Sequence, residues 1–235
     1  MNHATRLLLL LIASIAPTAY STNVTLSSDL SDFELRQDTD PFSPDHLNIT
    51  TQSFSATTAD VWNDGDSQYR VIEEFDLTPL LAAGDQITSA TLSMTRNFSI
   101  YPGSSVQLHG FSTSRATLLS NDNPAALAAY NAPSMLLASA FAANVAPNPP
   151  TETFTVDITS FLQARYADIV ANPAAPYIAL RLDPQTGGTD VRFDSANTLT
   201  GLAPQLNVTV VPEPSILGIS ILSGLALLSR RRSAF

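Results

Sequence analysis

One short run carries more chemistry than any other in the chain: Asp60-Val61-Trp62-Asn63-Asp64-Gly65-Asp66. Carboxylate and amide oxygens around a glycine turn suit calcium, a hard cation that takes about six to eight oxygen ligands. Asp60, Asn63, Asp64 and Asp66 are the candidate ligands. Their spacing is not that of an EF-hand, and no Glu stands at the loop's twelfth position, so a plain acidic turn accounts for the same residues. Trp62 is the only tryptophan. A flat indole in such a loop can stack on the apolar face of a sugar ring while the carboxylates accept its hydroxyl hydrogens. Tyr69, Tyr101 and Tyr130 are further stacking candidates. The alternative places Trp62 at the edge of the core.

Other chemistry is sparse. Glu73 and Glu74 are adjacent, so on a strand they face opposite sides and cannot form a glycosidase acid–base pair with each other. The expected arrangement is one solvent-facing acid and one satisfied by Arg70 or a backbone amide. His46 and His109 are the only histidines beyond His3. No Gly-x-Ser-x-Gly elbow, His-Glu-x-x-His or phosphate loop occurs. A Ser-His-Asp set would have to assemble from distant positions. The expectation is a protein that is not an enzyme.

Composition narrows the classes further. The 235 residues hold 21 acids against 11 arginines, with no lysine, for a net charge of −10. That argues against a general nucleic-acid binder, which needs a basic face to displace phosphate counterions. The absence of cysteine removes disulfides, thiol catalysis, iron–sulfur clusters and cysteine-bound zinc.

Both ends carry targeting signals. Arg6, an apolar run over 7–12 that extends to Ala16, and Pro17 lead to Ala19-Tyr20-Ser21. Small residues at −3 and −1 place a signal-peptidase cut after Ser21, and the run is too short for a permanent membrane helix. At the other end residues 215–229 are uncharged and are followed by Arg230, Arg231 and Arg232. As a helix this segment is about 22 Å long, a tight fit to a core of about 30 Å. The arginines favour the cytoplasmic side, so the preceding domain lies outside. Val211-Pro212-Glu213-Pro214 stands directly before it, where two prolines are expected not to continue a strand ladder and to keep the backbone extended.

This ending resembles the PEP-CTERM sorting signal: Pro212-Glu213-Pro214, a short membrane helix and Arg230–Arg232, in order over residues 211–235. The resemblance implies a substrate of exosortase, a membrane transpeptidase-like enzyme of Gram-negative bacteria that make exopolysaccharide. It also implies export, cleavage near Pro212-Glu213-Pro214 and a destination at the cell surface or in an extracellular matrix.

The elements that must position Trp62 and its neighbours lie in the piece between. Residues 22–211 hold 20 acids and seven arginines, and are enough for one substantial core. Period-two alternation dominates. Ala90, Leu92 and Met94 share one face, as do Val106 and Leu108, then Phe154, Val156 and Ile158. Ile178, Leu180 and Leu182 follow the same rule, as do Leu206, Val208 and Val210. Val71, Phe75 and Leu77 share a parity with Glu73. Turn residues between short strands argue for an antiparallel sandwich. Thr78-Pro79 through Gly84 reads as a short helix. A second helix starts at Asp157 or Thr159, with Ile158, Phe161, Leu162, Arg165 and Ile169 on one side and Pro173 beyond its end. Residues 125–130 read as a further turn.

Glu74-Phe75-Asp76-Leu77, residues 87–92, residues 156–163, the strand at 177–182, Phe193-Asp194-Ser195 and residues 204–208 together are similar to DNRLRE-type domains of bacterial extracellular proteins. That likeness implies a jelly-roll sandwich with a carbohydrate-binding or matrix-building role and no catalytic residues. Glu74 stands where those domains often carry a basic residue.

The expected fold is thus all-β, an antiparallel β-sandwich of jelly-roll type with one or two short helices. The expected organisation is a signal peptide at 1–21, the sandwich at 22–211 and the sorting signal with its membrane helix at 212–235. The expected function is that of a structural or adhesive surface protein. The alternatives are a calcium-dependent carbohydrate-binding module and a polysaccharide-active hydrolase. Signal peptidase, export machinery, an exosortase-like enzyme and exopolysaccharide are the expected partners, with no nucleic acid. The expected route runs through transient anchoring in the inner membrane.

Overall fold

The computed structural model describes residues 21–28, 33–38, 49–53, 58–80, 85–99, 103–112, 131, 133–143, 150–171, 173–174, 176–185, 187–196, 198 and 202–212. Among these the chain is all-β, with twelve strands in one curled antiparallel sheet and one α-helix. The strands are β1 (Thr22–Ser27), β2 (Phe33–Asp38), β3 (Ile49–Ser53), β4 (Thr58–Asn63), β5 (Ser67–Asp76) and β6 (Asp85–Ser99). They continue as β7 (Ser105–Ser112), β8 (Met135–Ala143), β9 (Glu152–Asp157), β10 (Tyr177–Pro184), β11 (Thr189–Asp194) and β12 (Gln205–Pro212). The helix α1 is Thr159–Ala171.

Two long strands organise the sheet. β6 holds β12 along residues 85–93, β9 along 91–96 and β11 along 96–99. β5 holds β2 along 67–72, β4 at Gln68 and Tyr69, and β10 along 71–76. β4 and β11 pair with each other and so join the two long strands. β1 lies beyond β12, and β7 and β8 lie beyond β10. The apolar interior takes side chains from both halves, including Val71, Phe75, Leu92, Leu108, Leu180, Phe193 and Val208. Phe141 stacks on Phe193 with centroids 6.0 Å apart. Each fully buried side chain of this size contributes about 1.5–3 kcal/mol.

The expected alternation holds in β6, β7 and β12, where Ala90, Leu92, Met94, Val106, Leu108, Leu206, Val208 and Val210 are buried. In β5 and β10 it fails. Val71 through Phe75 are all buried, and so are Ile178 through Leu182. Glu73 and Glu74 both have 0% exposure, so neither is the solvent-facing acid the sequence suggested. Alternation sends Val71 and Glu73 to one face and Ile72 and Glu74 to the other. Both faces are covered here: Val71, Glu73 and Phe75 are buried on one side of the strand, Ile72 and Glu74 on the other.

The helix starts as its cap predicts. Asp157 accepts hydrogen bonds from both the amide and the hydroxyl of Thr159. Phe161, Leu162 and Ile169 form the buried side of α1. Arg165, expected among them, instead ion-pairs with Asp168 at 2.6 Å. Tyr166 donates to the Leu80 carbonyl at 2.6 Å and Gln163 to that of Ile87 at 2.7 Å, which fastens the helix to the sheet. The earlier helix expected over 78–84 is a 3-10 turn at Thr78–Leu80, with 81–84 outside the described residues. The turn at 125–130 also lies outside them.

No helix among the described residues is long and apolar enough to cross a membrane. Residues 1–20 of the expected signal peptide, the segment 215–229, Glu213, Pro214 and Arg230–Arg232 lie outside the described residues. Pro212 is the last residue of β12, opposite Asp85.

Candidate ligand-binding face

The acidic run folds as the end of β4 and a tight turn into β5. Gly65 has φ +99°, a backbone conformation that glycine adopts without penalty. Asn63 Oδ1 accepts from the Gly65 amide at 3.1 Å, and Asp64 Oδ1 accepts from the amides of Asp66 and Ser67 at 3.0 and 2.8 Å. These Asx-type bonds explain why Asn, Asp and Gly stand here. Burial works to raise the Asp64 carboxyl. The Ser67 amide, the Trp62 indole N–H and the Asp66 amide outweigh it and hold the carboxyl below its ordinary value.

Trp62 is not in the turn. It is the penultimate residue of β4, half-buried, opposite Tyr69 of β5 and Asp190 of β11. The Trp62 and Tyr69 rings lie 6.3 Å apart, tilted by 33°. The Arg36 guanidinium of β2 sits 5.1 Å from the Tyr69 centroid. Two residues back along β4, Asp60 lies opposite Arg192, which lies opposite Phe98. The Arg192 guanidinium is 4.8 Å from the Phe98 centroid. Its Nε lies 3.4 Å from Asp60 Oδ2 and 3.6 Å from Asp190 Oδ1.

Two carboxylates therefore share one cation. Burial raises the Asp60 carboxyl above its ordinary value against the pull of Arg192. Burial also raises Asp190, Arg192 opposes it, and the charge on Asp60 adds to it. Asp190 is fully buried, so what the face offers a ligand is the half-buried Trp62 and Tyr69 rings for stacking and the partly exposed Asp60 carboxylate and Arg192 guanidinium for hydrogen bonds.

The sequence-predicted calcium ligands are not brought together. Asp60 faces Arg192 on the strand, while Asn63 and Asp64 are turned onto the turn's own amides. Among the described residues no three or more His, Cys, Asp or Glu side chains gather as a metal site. Tyr69 does join Trp62, whereas Tyr101 and Tyr130 lie outside the described residues. Asp190, Arg192, Phe98 and Arg36 were missed. Asp190 and Arg192 alternate with Val191 and Phe193 as Asp60 and Trp62 alternate with Ala59 and Val61. That shared period was the available signal, but the register that joins the two strands is set in three dimensions. Comparison with protein-family models and with curated proteins finds no match for this chain.

Proposed function

We propose that this is an exported protein of the cell surface or extracellular matrix whose β domain, in finer classification a jelly-roll sandwich, adheres to polysaccharide through the face built on Trp62. The observation that carries the reading is the cross-strand row Arg36, Tyr69 and Trp62 beside Asp60, Arg192 and Phe98. Stacking plus multiple weak hydrogen bonds is how a flat protein surface holds a hydroxyl-rich, uncharged ligand. The export half of the reading is supported by the N-terminal leader pattern and the PEP-CTERM-like ending. Signal peptidase and an exosortase-like enzyme are the corresponding partners.

Calcium dependence is the alternative, and the engagement of Asn63 and Asp64 with backbone amides speaks against it. As the single tryptophan, Trp62 makes intrinsic fluorescence a reporter of its own site. Titration with oligosaccharides from the producer's exopolysaccharide should shift that emission saturably, equally in calcium and in chelator. Trp62→Ala, followed by calorimetry, should lose the binding. Unchanged binding by that variant removes the assignment, and binding that needs calcium restores the alternative.

A further inference from the structure

A second constellation lies on the face of β7 and β10 that carries His109, Arg181 and Asp183, built from residues far apart in the chain. His109 of β7 is opposite Arg181 of β10 and Leu136 of β8. Ser134, exposed just before β8, has its hydroxyl 3.1 Å from His109 Nδ1. His109 Nε2 lies 3.2 Å from Gln107 Oε1 and 3.6 Å from Asp183 Oδ2. Arg181 holds Asp183 with Nε at 2.8 Å and Nη2 at 3.0 Å. The same Nη2 also donates to the Ser134 hydroxyl oxygen at 3.3 Å.

The contacts select one protonation pattern. Nε2 faces two acceptors, so the ring proton belongs there, donated to Gln107 with Asp183 beside it. The lone pair then lies on Nδ1, facing the Ser134 hydroxyl. The hydroxyl donates to Nδ1 and accepts from Arg181. Burial, opposed by Asp183 and reinforced by Arg181 and Arg70, lowers the imidazole below its ordinary value, which keeps it neutral and able to accept a proton.

We propose that Ser134 is the nucleophile of an ester-cleaving site, with His109 as its general base and Arg181 as the donor to the oxygen that gains charge. In the acylation step the Ser134 oxygen forms a bond to the ester carbonyl carbon while its proton passes to His109 Nδ1. The carbonyl oxygen becomes an oxyanion within reach of the Arg181 guanidinium. The C–O bond to the leaving alcohol then breaks, and the alcohol takes the proton from His109. Water repeats the sequence on the acyl-serine and returns the free hydroxyl. Gln107 and Asp183 are positioning residues, since they act through His109. Met135, next to Ser134 in the chain, borders a recess of about 230 Å³ whose lining mixes Leu136, Leu137, Ile158 and Phe161 with the polar Asp157 and Ser160. The small size of that recess suits a short group, so the substrate class is small acyl esters.

The test is independent of export and of sugar binding. The purified full-length chain is treated with a fluorophosphonate probe, and the labelled peptide is identified by mass spectrometry. Hydrolysis of p-nitrophenyl acetate is measured in parallel. Labelling at Ser134, and turnover at least about tenfold above that of Ser134→Ala, are expected. His109→Gln should lose both signals by a similar factor while retaining the thermal transition of the parent. Labelling at another residue, or turnover by Ser134→Ala equal to that of the parent, overturns the proposal. Ser134 is exposed, so its alanine variant tests the chemistry without disturbing the fold.

Discussion

A methyl group at Gly110 would test how α1 seats on the sheet. A Cβ built there lies 2.6, 2.6 and 2.9 Å from three atoms of the Phe161 ring. Carbon atoms rest about 3.5–4.0 Å apart, so the ring must withdraw by about 1 Å. It has little freedom to do so. Phe161 is 5% exposed, and its helix is tied to the sheet by Gln163 and Tyr166. Forcing a methyl into a packed site costs about 1–3 kcal/mol. Replacing glycine in a strand interior returns about 0.5–1 kcal/mol. Gly110→Ala should therefore lose about 1–2 kcal/mol, or about 2–8 °C in Tm at this chain length. Urea unfolding of Gly110→Ala, Phe161→Ala and the double variant measures the coupling. Phe161→Ala alone should cost about 3–5 kcal/mol. In that background the added methyl enters vacated space, and Gly110→Ala becomes neutral or stabilising. Losses that add to within about 0.5 kcal/mol would refute the reasoning.

Asp190 sets a pH dependence of defined sign. Its carboxyl is raised by burial above the ordinary 3.8, so its favourable contribution is complete below that value and is lost as pH rises through the folded one. Asp190→Asn should gain on the parent between about pH 4 and 7, and the gain should vanish in stronger acid. Urea midpoints across that range read it, and a gain that grows on acidification contradicts the assignment. The sorting reading predicts that protein recovered from the cell surface lacks Arg230–Arg232. An intact mass that retains them sinks it.

The parts of the fold that were legible share one property: a single face meets the core. β6 and β12 show it through Ala90, Leu92 and Met94 and through Leu206, Val208 and Val210. α1 shows it through Phe161, Leu162 and Ile169, with an Asp157–Thr159 cap and Pro173 beyond. β5 and β10 were misread because both their faces are covered, so Glu73, Glu74 and Arg181 look like surface residues while being buried. Trp62 was legible by type alone. Its partners Asp190, Arg192 and Phe98 come from two other strands, and local periodicity does not encode which strands become neighbours. The same limit hid the second constellation. Residues 109, 134 and 183 meet only because β7 lies between β10 and β8.

The exclusive use of arginine fits what these side chains are asked to do. Arg36, Arg96, Arg181 and Arg192 lie over Tyr69, Phe154, Phe111 and Phe98 at 5.1, 5.1, 5.9 and 4.8 Å. Three of them meet a carboxylate as well: Arg96 with Glu152 at 2.8 Å, Arg181 with Asp183 at 2.8 Å and Arg192 with Asp60 at 3.4 Å. A planar guanidinium can stack on a ring and present its edge to an acid at once, whereas an ammonium is a point charge without that fork. These four cations are thus engaged within the sheet and its faces. The acids in excess of arginine, reflected in a net charge of −10, set up a negative field around the molecule. A field of that sign repels an anionic polymer and leaves an uncharged one unaffected. On the proposed reading of Trp62 as a sugar-stacking residue, the expected ligand is therefore a neutral polysaccharide.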